Sequence, residues 1–463
     1  MRALLFALLA WMCSVAGSAL AADAELLDAL LAPSSFTAVS LSPDGQQLAA
    51  IRFDGVASAL LLLDAKTLAP RTLIERPGSR ASSRSPQRVE WIDNKRLAVD
   101  YDDQTSEAID LDGKPLQRLG ERFVRTRREH GGASDWVLAF DRLRDGRISR
   151  VNLRSGERRP LPIALPGKPI HWAFDADGAL RALTMLDTTF WRDQARVSNW
   201  YRADEDTPWQ LLEASAVTAD LFVPVHVPAE PNTLIVRSHH QRDRAALFRY
   251  DTLNHRHLEP VAGQPDEEVL TASALGQSGI SRVITGGAKP HSHWFDPRWA
   301  ALQQRVDAAV PGRINLLSGD PGGRLLVFSY GDVDPGRWFV FDTGDGAIWL
   351  AAAIKPRIDP AAMRPMQTLD YAADDGLQIP AYLTRPADAA AGAPLPLVVL
   401  VHGGPHLRDD WLWNEEVQLL AASGYAVFQP QFRGSTGFGL SFEEAGYGQW
   451  GRAMQDDVTA GVR

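Results

Sequence analysis

Short runs of apolar residues recur through the middle of the chain, and each is followed by a turn rich in Asp, Gly or Ser. From about residue 34 to residue 353 these runs have the length and composition of β-strands, whereas helical periodicity is scarce. Turns such as Asp44-Gly45 and Asp177-Gly178 place glycine where a tight hairpin needs a positive φ. The pattern therefore predicts an all-β region.

One unit of this pattern repeats seven times. Each copy has an apolar strand end, a polar residue, a turn and a return strand. The polar residues of the seven copies are Asp64, Asp112, Asn152, Arg202, Asp251, Asp296 and Asp342. Their spacing of 40–50 residues is typical of β-propeller blades. The repeat predicts a seven-bladed β-propeller over residues 34–355, with a helix inserted at residues 297–312; a β-sandwich is the alternative, although sandwiches lack this period.

The pattern changes after a proline-rich stretch at about residues 360–365. Residues 374–386 alternate between apolar and polar, as in a half-buried strand, and Pro380 predicts that this strand lies at a sheet edge. Residues 397–401 form a continuous apolar run, typical of a strand buried on both faces. A helical stripe ending at Gly424 and a second apolar strand follow. This order predicts an α/β domain with a largely parallel sheet over residues 356–463.

The first 21 residues have the layout of a secretory signal peptide. Arg2 precedes an apolar run, and Ala19-Leu20-Ala21 matches a cleavage pattern. A membrane anchor is the alternative, but the run is shorter than the roughly 20 residues that span a bilayer. We expect cleavage after Ala21, export to the periplasm or the medium, and a short helix over residues 22–33. Cys13, the single cysteine, would leave with the signal peptide.

Charge and ligand patterns narrow the function classes. The chain has 57 acidic and 48 basic residues, a net charge of −9 and no long Lys/Arg run, which disfavours nucleic acid as a partner. Histidines at 402 and 406, and at 291 and 293, lack the further converging ligands of a zinc site, so we expect no metal. No motif indicates a cofactor. The adjacent Asp456 and Asp457 are expected on the solvent-exposed face of the last helix.

Three C-terminal motifs, VVLVHGGPH, GYAVFQPQFRGSTGFG and QWGRAMQDD, resemble the opening of the catalytic domain of the prolyl oligopeptidase family, especially its acylaminoacyl-peptidase-like branch. The resemblance implies a β-propeller followed by an α/β-hydrolase domain, in agreement with the repeat. It also implies a serine peptidase that admits oligopeptides between the two domains. An esterase of the same fold and a propeller-based binding protein with a vestigial hydrolase domain remain open as alternatives.

The His-Gly-Gly turn after the apolar run at residues 397–401 suits acyl transfer. That reaction needs backbone N–H groups aimed at the developing oxyanion, and a glycine pair lets the backbone approach a substrate closely. Gly403 and Gly404 are the candidate donors, although a glycine pair also makes tight turns. His402 is expected to orient this turn rather than to act as a base. Arg433 either pairs with a carboxylate across the site or caps its loop.

No catalytic triad is found in the 463 residues. An α/β-hydrolase carries its serine in G-x-S-x-G, followed in the chain by an acid and a histidine, and the sequences around Ser278 and Ser441 lack the final glycine. The resemblance places the triad beyond Arg463. We therefore expect a truncated member of the family that is inactive alone, has peptide substrates, and leaves residues 397–401 as an unpaired apolar edge. The oligomeric state is not predicted.

Overall fold

The computed structural model describes residues 24–77, 84–126, 135–142, 146–188, 195–216, 221–274, 280–287, 289–387 and 394–463. The predicted signal peptide lies outside these ranges. Within them, 31 strands form eight sheets, and helices are few. In these ranges, no helix combines the length and the apolar character that crossing a bilayer requires.

Seven consecutive antiparallel sheets occupy the described residues between 36 and 353, and strands that are neighbours in the chain are neighbours in each sheet. Sheets 1 to 4 comprise β1 Phe36–Leu41, β2 Gln47–Phe53, β3 Ala57–Asp64, β4 Pro70–Pro77; β5 Pro86–Asp93, β6 Arg96–Tyr101, β7 Ser106–Asp110, β8 Pro115–Gly120; β9 Arg122–Thr126, β10 Trp136–Arg142, β11 Arg147–Asn152, β12 Arg158–Pro160; and β13 Lys168–Phe174, β14 Leu180–Asp187, β15 Arg196–Tyr201, β16 Gln210–Ala216. Sheets 5 to 7 comprise β17 Val223–His226, β18 Thr233–Ser238, β19 Ala246–Asp251, β20 Arg256–Ala262; β21 Glu268–Ala274, β22 Ile280–Gly286, β23 His291–Trp294; and β24 Ile314–Gly319, β25 Arg324–Tyr330, β26 Arg337–Asp342, β27 Ile348–Ala353.

An eighth sheet, with strands in the order β28, β29, β31, β30, lies in the C-terminal part. Its strands are β28 Met366–Ala372, β29 Gln378–Thr384, β30 Leu397–Val399 and β31 Ala426–Pro430. The helices are α1 Ala24–Leu31, α2 Pro297–Ala309, α3 Glu415–Ala422, α4 Leu440–Glu444 and α5 Ala453–Val462, with a 3₁₀ turn at Pro360–Ala362.

The sequence repeat has a local cause. At the end of the third strand of a sheet, a short polar side chain accepts hydrogen bonds from the turn that follows, which fixes the hairpin. Asp64 Oδ1 accepts the N–H groups two and three residues on at 2.9 and 2.7 Å, and Asn152 and Asp251 do the same in their sheets. In sheets 2 and 4 the accepting carboxylates are Asp110 and Asp204, each two residues from the predicted position.

The sixth sheet has three strands, and α2 follows its last strand. Asp296 caps this helix, since its Oδ1 accepts the Arg298 N–H at 2.8 Å, and Pro297 occupies the first turn. Trp299 and Leu302 are buried against sheet 7. The predicted helical insertion is confirmed.

Packing between sheets closes the seven into a ring. Seven apolar clusters join neighbouring sheets, and one of them joins the seventh sheet back to the first through Leu48 and Leu61 on one side and Trp338 and Val340 on the other. In the described residues, no strand of sheet 1 pairs within sheet 7. Side-chain burial therefore closes this propeller-type arrangement.

The C-terminal part corrects two expectations about strand positions. β30, α3 and β31 form the predicted βαβ unit, and β30 and β31 are parallel. The prediction that Pro380 marks a sheet edge is wrong, because its strand β29 pairs with β28 on one side and β31 on the other. Pro380 keeps one link to β31, since its carbonyl accepts the Gln431 N–H at 2.8 Å. The other two strand pairs, β28–β29 and β29–β31, are antiparallel, so the sheet is mixed rather than largely parallel.

β30 is the edge strand of this sheet, and it is not buried on both faces as its apolar run suggests. Leu397 is 40% exposed, and Val401, just past the strand, is 47% exposed. In the described residues β30 pairs only with β31, so its other edge carries free backbone groups.

Buried polar contacts fix the C-terminal part to the ring. Asp332 follows β25. It accepts the Met366 N–H at 2.7 Å through Oδ2 and the Gln418 side-chain amide at 3.2 Å through its backbone carbonyl. Lys355 is buried and bonds to both the Leu30 carbonyl of α1 and Glu415 of α3. The ring and the eighth sheet therefore meet through specific hydrogen bonds.

The ring closure gives a stability prediction. Replacing Trp338 with Ala should lower the free energy of unfolding by about 3–5 kcal/mol, because it empties part of the cluster that joins sheets 1 and 7. Urea denaturation followed by circular dichroism measures this change. Trp450→Ala is the matched control, since Trp450 is 68% exposed and its loss should change stability by no more than about 0.5 kcal/mol. Equal effects of the two variants would contradict closure by this seam.

Candidate functional site

The His-Gly-Gly turn lies just beyond the carboxyl end of β30, the edge at which α/β sheets commonly bind ligands. Gly404 has φ +123°, and a Cβ there would lie 2.9–3.0 Å from the backbone nitrogens of residues 406 and 407, so the position needs glycine. Gly403 is exposed, with open space where a Cβ would project. In the described structure, the N–H groups of Gly403 and Gly404 donate no hydrogen bond. Two backbone donors are thus available to a ligand.

An open cleft of about 260 Å³ adjoins this turn. Its walls include residues 401–405, Phe432, Trp450 and Met454. Its surface is therefore mostly apolar, and the backbone N–H groups of the two glycines are among its polar groups. This composition is typical of small-molecule sites.

His402 is held in place from two sides. Its ring stacks on Phe432 with the centroids 4.4 Å apart, and its Nε2 lies 2.9 Å from Ser435 Oγ. Ser435 Oγ also donates to the Phe432 carbonyl at 2.6 Å, and His402 Nδ1 lies 2.9 Å from the Gly403 carbonyl. Ser435 is completely buried. The pair therefore resembles a Ser–His dyad in distance, but Ser435 cannot reach a substrate.

Arg433 pairs with two carboxylates, and neither Arg433 nor its partners line the cleft beside the His-Gly-Gly turn. Its guanidinium forms two hydrogen bonds to Asp457, at 2.7 and 2.8 Å, and two to Asp375, at 2.7 and 3.0 Å. Its backbone N–H also donates to Asp457 Oδ2 at 2.9 Å. These hydrogen bonds raise the pKa of Arg433 above its ordinary value, and those to Asp457 have the largest effect. Arg433 therefore anchors its own loop.

Asp457 corrects the expectation for the last helix. Asp456 is exposed as predicted, but Asp457 is completely buried under Arg433. Met454 and Asp457 are three residues apart in α5 and therefore lie on one helical face, which packs on the sheet. A face assignment by this spacing would have identified Asp457. Asp375, in the turn between β28 and β29, shows no comparable signal.

A second contact region links the site loops to the ring. Arg408 stacks over the Phe438 ring at 4.4 Å and donates to the Gly287 carbonyl at the end of β22 at 2.8 Å. Asp409 and Gln431 exchange hydrogen bonds at 3.0 and 2.6 Å. Burial raises the pKa of the Asp409 carboxyl. The loop between the His-Gly-Gly turn and α3 is thus tied both to β31 and to sheet 6.

The loop before α4 docks on sheet 5. Asp243 accepts the Ser441 N–H at 2.8 Å through Oδ1 and the Leu440 N–H at 2.8 Å through its carbonyl. Burial raises the pKa of the nearby Glu443 carboxyl. Ser441, one of the two serines rejected above as nucleophiles, therefore helps to attach this loop to sheet 5. The other serine, Ser278, lies outside the described residues.

The described ranges contain no group of three or more His, Cys, Asp or Glu side chains that could hold a metal ion. His406 Nδ1 lies 2.9 Å from the Gly434 carbonyl, away from His402. Of the four predicted site residues, His402, Gly403 and Gly404 share one turn and line the cleft, whereas Arg433 does not line it.

Comparison with known proteins agrees with the motifs. Residues 411–463 match the model of the prolyl oligopeptidase family. Dipeptidyl aminopeptidase BIII of Pseudoxanthomonas mexicana is 28% identical over 238 residues, which make up 50% of this chain and 34% of that enzyme. The chain thus spans about a third of the length of this curated relative.

Solved structures share the fold. A puromycin-hydrolyzing peptidase of Mycobacterium tuberculosis superposes with a TM-score of 0.64 at 18% identity, covering 94% of this chain and 72% of that one. A prolyl endopeptidase superposes with a TM-score of 0.65 at 15% identity, covering 94% and 67%. The likeness includes both the ring and the eighth sheet. Together with the match over residues 411–463, these findings confirm the resemblance of the chain to the prolyl oligopeptidase family of peptidases.

Proposed function

We propose that this chain supplies the substrate-admitting ring and the oxyanion donors of an exported serine peptidase that cleaves oligopeptides. The two unbonded N–H groups of Gly403 and Gly404, at an exposed turn beyond β30, carry the proposal. Backbone donors fixed in this way stabilise the oxyanion of an acyl-transfer transition state without reorganisation. The family match supports a peptide as the substrate.

The proposal assigns each part of the fold a role. The seven sheets are the blades of a seven-bladed propeller over residues 34–355, and residues 356–463 are the N-terminal part of an α/β-hydrolase domain. The signal layout of the first 21 residues supports export. The unpaired edge of β30 is where, by analogy with α/β-hydrolases, the strand leading to the nucleophile would pair.

The 463 residues contain no G-x-S-x-G. Without that motif, a purified chain of this sequence should neither hydrolyse peptidyl amides or p-nitrophenyl esters nor react with a fluorophosphonate probe. It should still bind oligopeptides, because the proposed substrate-admitting ring is present. Calorimetry measures the binding, and intact-mass spectrometry measures the labelling.

Ser435→Ala is the control for the serine whose hydroxyl lies 2.9 Å from the His402 ring nitrogen, and it should leave the absence of labelling unchanged. Stoichiometric labelling of any serine would contradict the assignment of the site. Failure to bind any oligopeptide would contradict the substrate-admitting role, and turnover of esters but not of amides would favour an esterase.

Arg433 is, in this proposal, a positioning residue, and its two carboxylates should differ in importance. Arg433→Met should lower the free energy of unfolding by about 3–5 kcal/mol, because Asp457 is left buried and unpaired. Asp375→Asn should cost no more than about 1 kcal/mol, since the Asp375 side chain is 55% exposed. Urea denaturation at neutral pH measures both variants.

The pH dependence gives an independent check on this pair. The Arg433 hydrogen bonds hold the pKa of the Asp375 carboxyl below its ordinary value of 3.8. Its stabilisation is therefore complete above about pH 5 and is lost as pH falls through the lowered pKa. The stability difference between the wild type and Asp375→Asn should shrink in acid. A difference that grows as pH falls would contradict the ion pair.

A further inference from the structure

A cavity of about 600 Å³ lies at the junction of sheet 6, α2, sheet 7 and the loop that joins the His-Gly-Gly turn to α3. Lys289, Asp307, Arg313 and Trp411 are among its lining residues. Its volume falls within the range of small-ligand sites, and it opens where the ring meets the C-terminal part. Nothing in the site described above uses it.

The cavity also holds two carboxylates, and one of them already has donors. Asp307 Oδ1 accepts the side-chain amides of Gln303 and Asn315, both at 2.9 Å. Glu267 Oε2 lies 3.3 Å from His293 Nε2 but makes no hydrogen bond within the described residues. A ligand donor would therefore compete with side chains at Asp307 but not at Glu267.

The two cations that line the cavity, Lys289 and Arg313, have few carboxylate partners. Lys289 has no carboxylate within 4.0 Å among the described residues, and its ammonium lies over the Trp411 ring at 4.0 Å. Arg313 shares one oxygen of the buried Asp334 with Arg337, at 2.7 and 2.8 Å, so one carboxylate serves two guanidinium groups. Lys289 therefore has no carboxylate partner among the described residues, and Arg313 has only a shared one.

A third cation stands behind the same wall. Arg282 of β22 stacks over the Trp294 ring at 5.2 Å, and Trp294 in turn donates to Gln303 of the cavity wall at 2.9 Å. In the described part of the chain, Arg282 Nε and Nη1 are buried without a hydrogen-bond partner, and no carboxylate lies within 4.0 Å. A partly buried charge of this kind is costly unless an anion approaches it.

We propose that this junction cavity is a carboxylate-binding subsite for an oligopeptide, with Lys289 and Arg313 as the donors to the carboxylate. The proposal rests on the proposed function, because it assigns the cavity to the same substrate class. The buried Trp411 ring holds the Lys289 ammonium over the cavity before a ligand arrives, which reduces the entropy lost on binding. The carboxylate can be the C-terminus of a peptide or an acidic side chain.

The test uses N-acetylated tripeptides, so that no ligand amine contributes. Ac-Ala-Ala-Phe as the free acid, the same peptide as the C-terminal amide, and Ac-Ala-Ala-Glu-amide are titrated into the full 463-residue chain by calorimetry. The free acid should bind at least about tenfold more tightly than the amide, as expected for a charge-assisted hydrogen bond. Tight binding of the Glu amide would assign the subsite to an acidic side chain instead.

Lys289→Gln should remove the preference for the carboxylate and leave the affinity for the amide unchanged. Lys114→Gln is the matched control, since Lys114 is also an exposed lysine but lies in a turn of sheet 2, and it should keep the preference. Raising the salt concentration should weaken binding of the acid more than binding of the amide.

The outcomes separate the two proposals. Equal binding of acid and amide, or a carboxylate preference that survives in Lys289→Gln, would overturn the subsite while peptide binding, and with it the proposed function, stands. Absence of binding by all three peptides would overturn both. Because Lys289 is exposed, the Lys289→Gln variant is expected to fold. An unfolding midpoint of the variant equal to that of the wild type verifies this.

Discussion

The candidate site depends on one guanidinium group held between two carboxylates. Arg433 joins the turn before β29, the loop after β31 and the last helix, three segments that are far apart in the sequence. The same loop carries Phe432 and Ser435, which stack on and bond to His402. Because His402 begins the glycine turn, the position of the two backbone donors follows from the Arg433 ion pair. Within the described residues, Arg433 is the only cation paired with the buried Asp457, so loss of Arg433 would leave an uncompensated buried charge.

The ring imposes a second constraint of a different kind. Its seam is apolar and non-directional, so closure depends on how well side chains fill the space between sheets 1 and 7 rather than on a shared strand. The C-terminal part, by contrast, is attached through polar contacts such as those of Asp332 and Asp243. Hydrogen bonds fix orientation more narrowly than apolar contact does. The seam therefore sets whether the ring forms, and the polar contacts set where the glycine turn and the junction cavity face.

Local rules explain which features the sequence could predict. The seven-fold repeat can be predicted because several third strands end at a short polar side chain that closes its own turn, as at Asp64 and Asp251, and such contacts span only a few residues. The βαβ unit and the helix α2 can be predicted because the apolar periodicity of each element is also local. The interior position of Pro380 and the exposure of β30 depend on which strands become neighbours, and no local pattern encodes that choice. One partner of Arg433, Asp375, could not be predicted for the same reason, because only the folded chain brings this exposed aspartate next to Arg433.

Within the site, the division between donors and nucleophile has an energetic meaning. Oxyanion donors alone typically contribute about 10²–10³ in rate, and catalysis without a working triad retains only about 10³–10⁴ over water. In the proposed function, Gly403 and Gly404 supply a contribution of the first kind, since their N–H groups donate no hydrogen bond within the described residues and His402 holds the turn in place. Ser435 cannot supply the rest, because it is completely buried and its oxygen is shielded from substrate. In the proposed function, the glycine turn would therefore stabilise a charge that an attacking group from outside this turn creates.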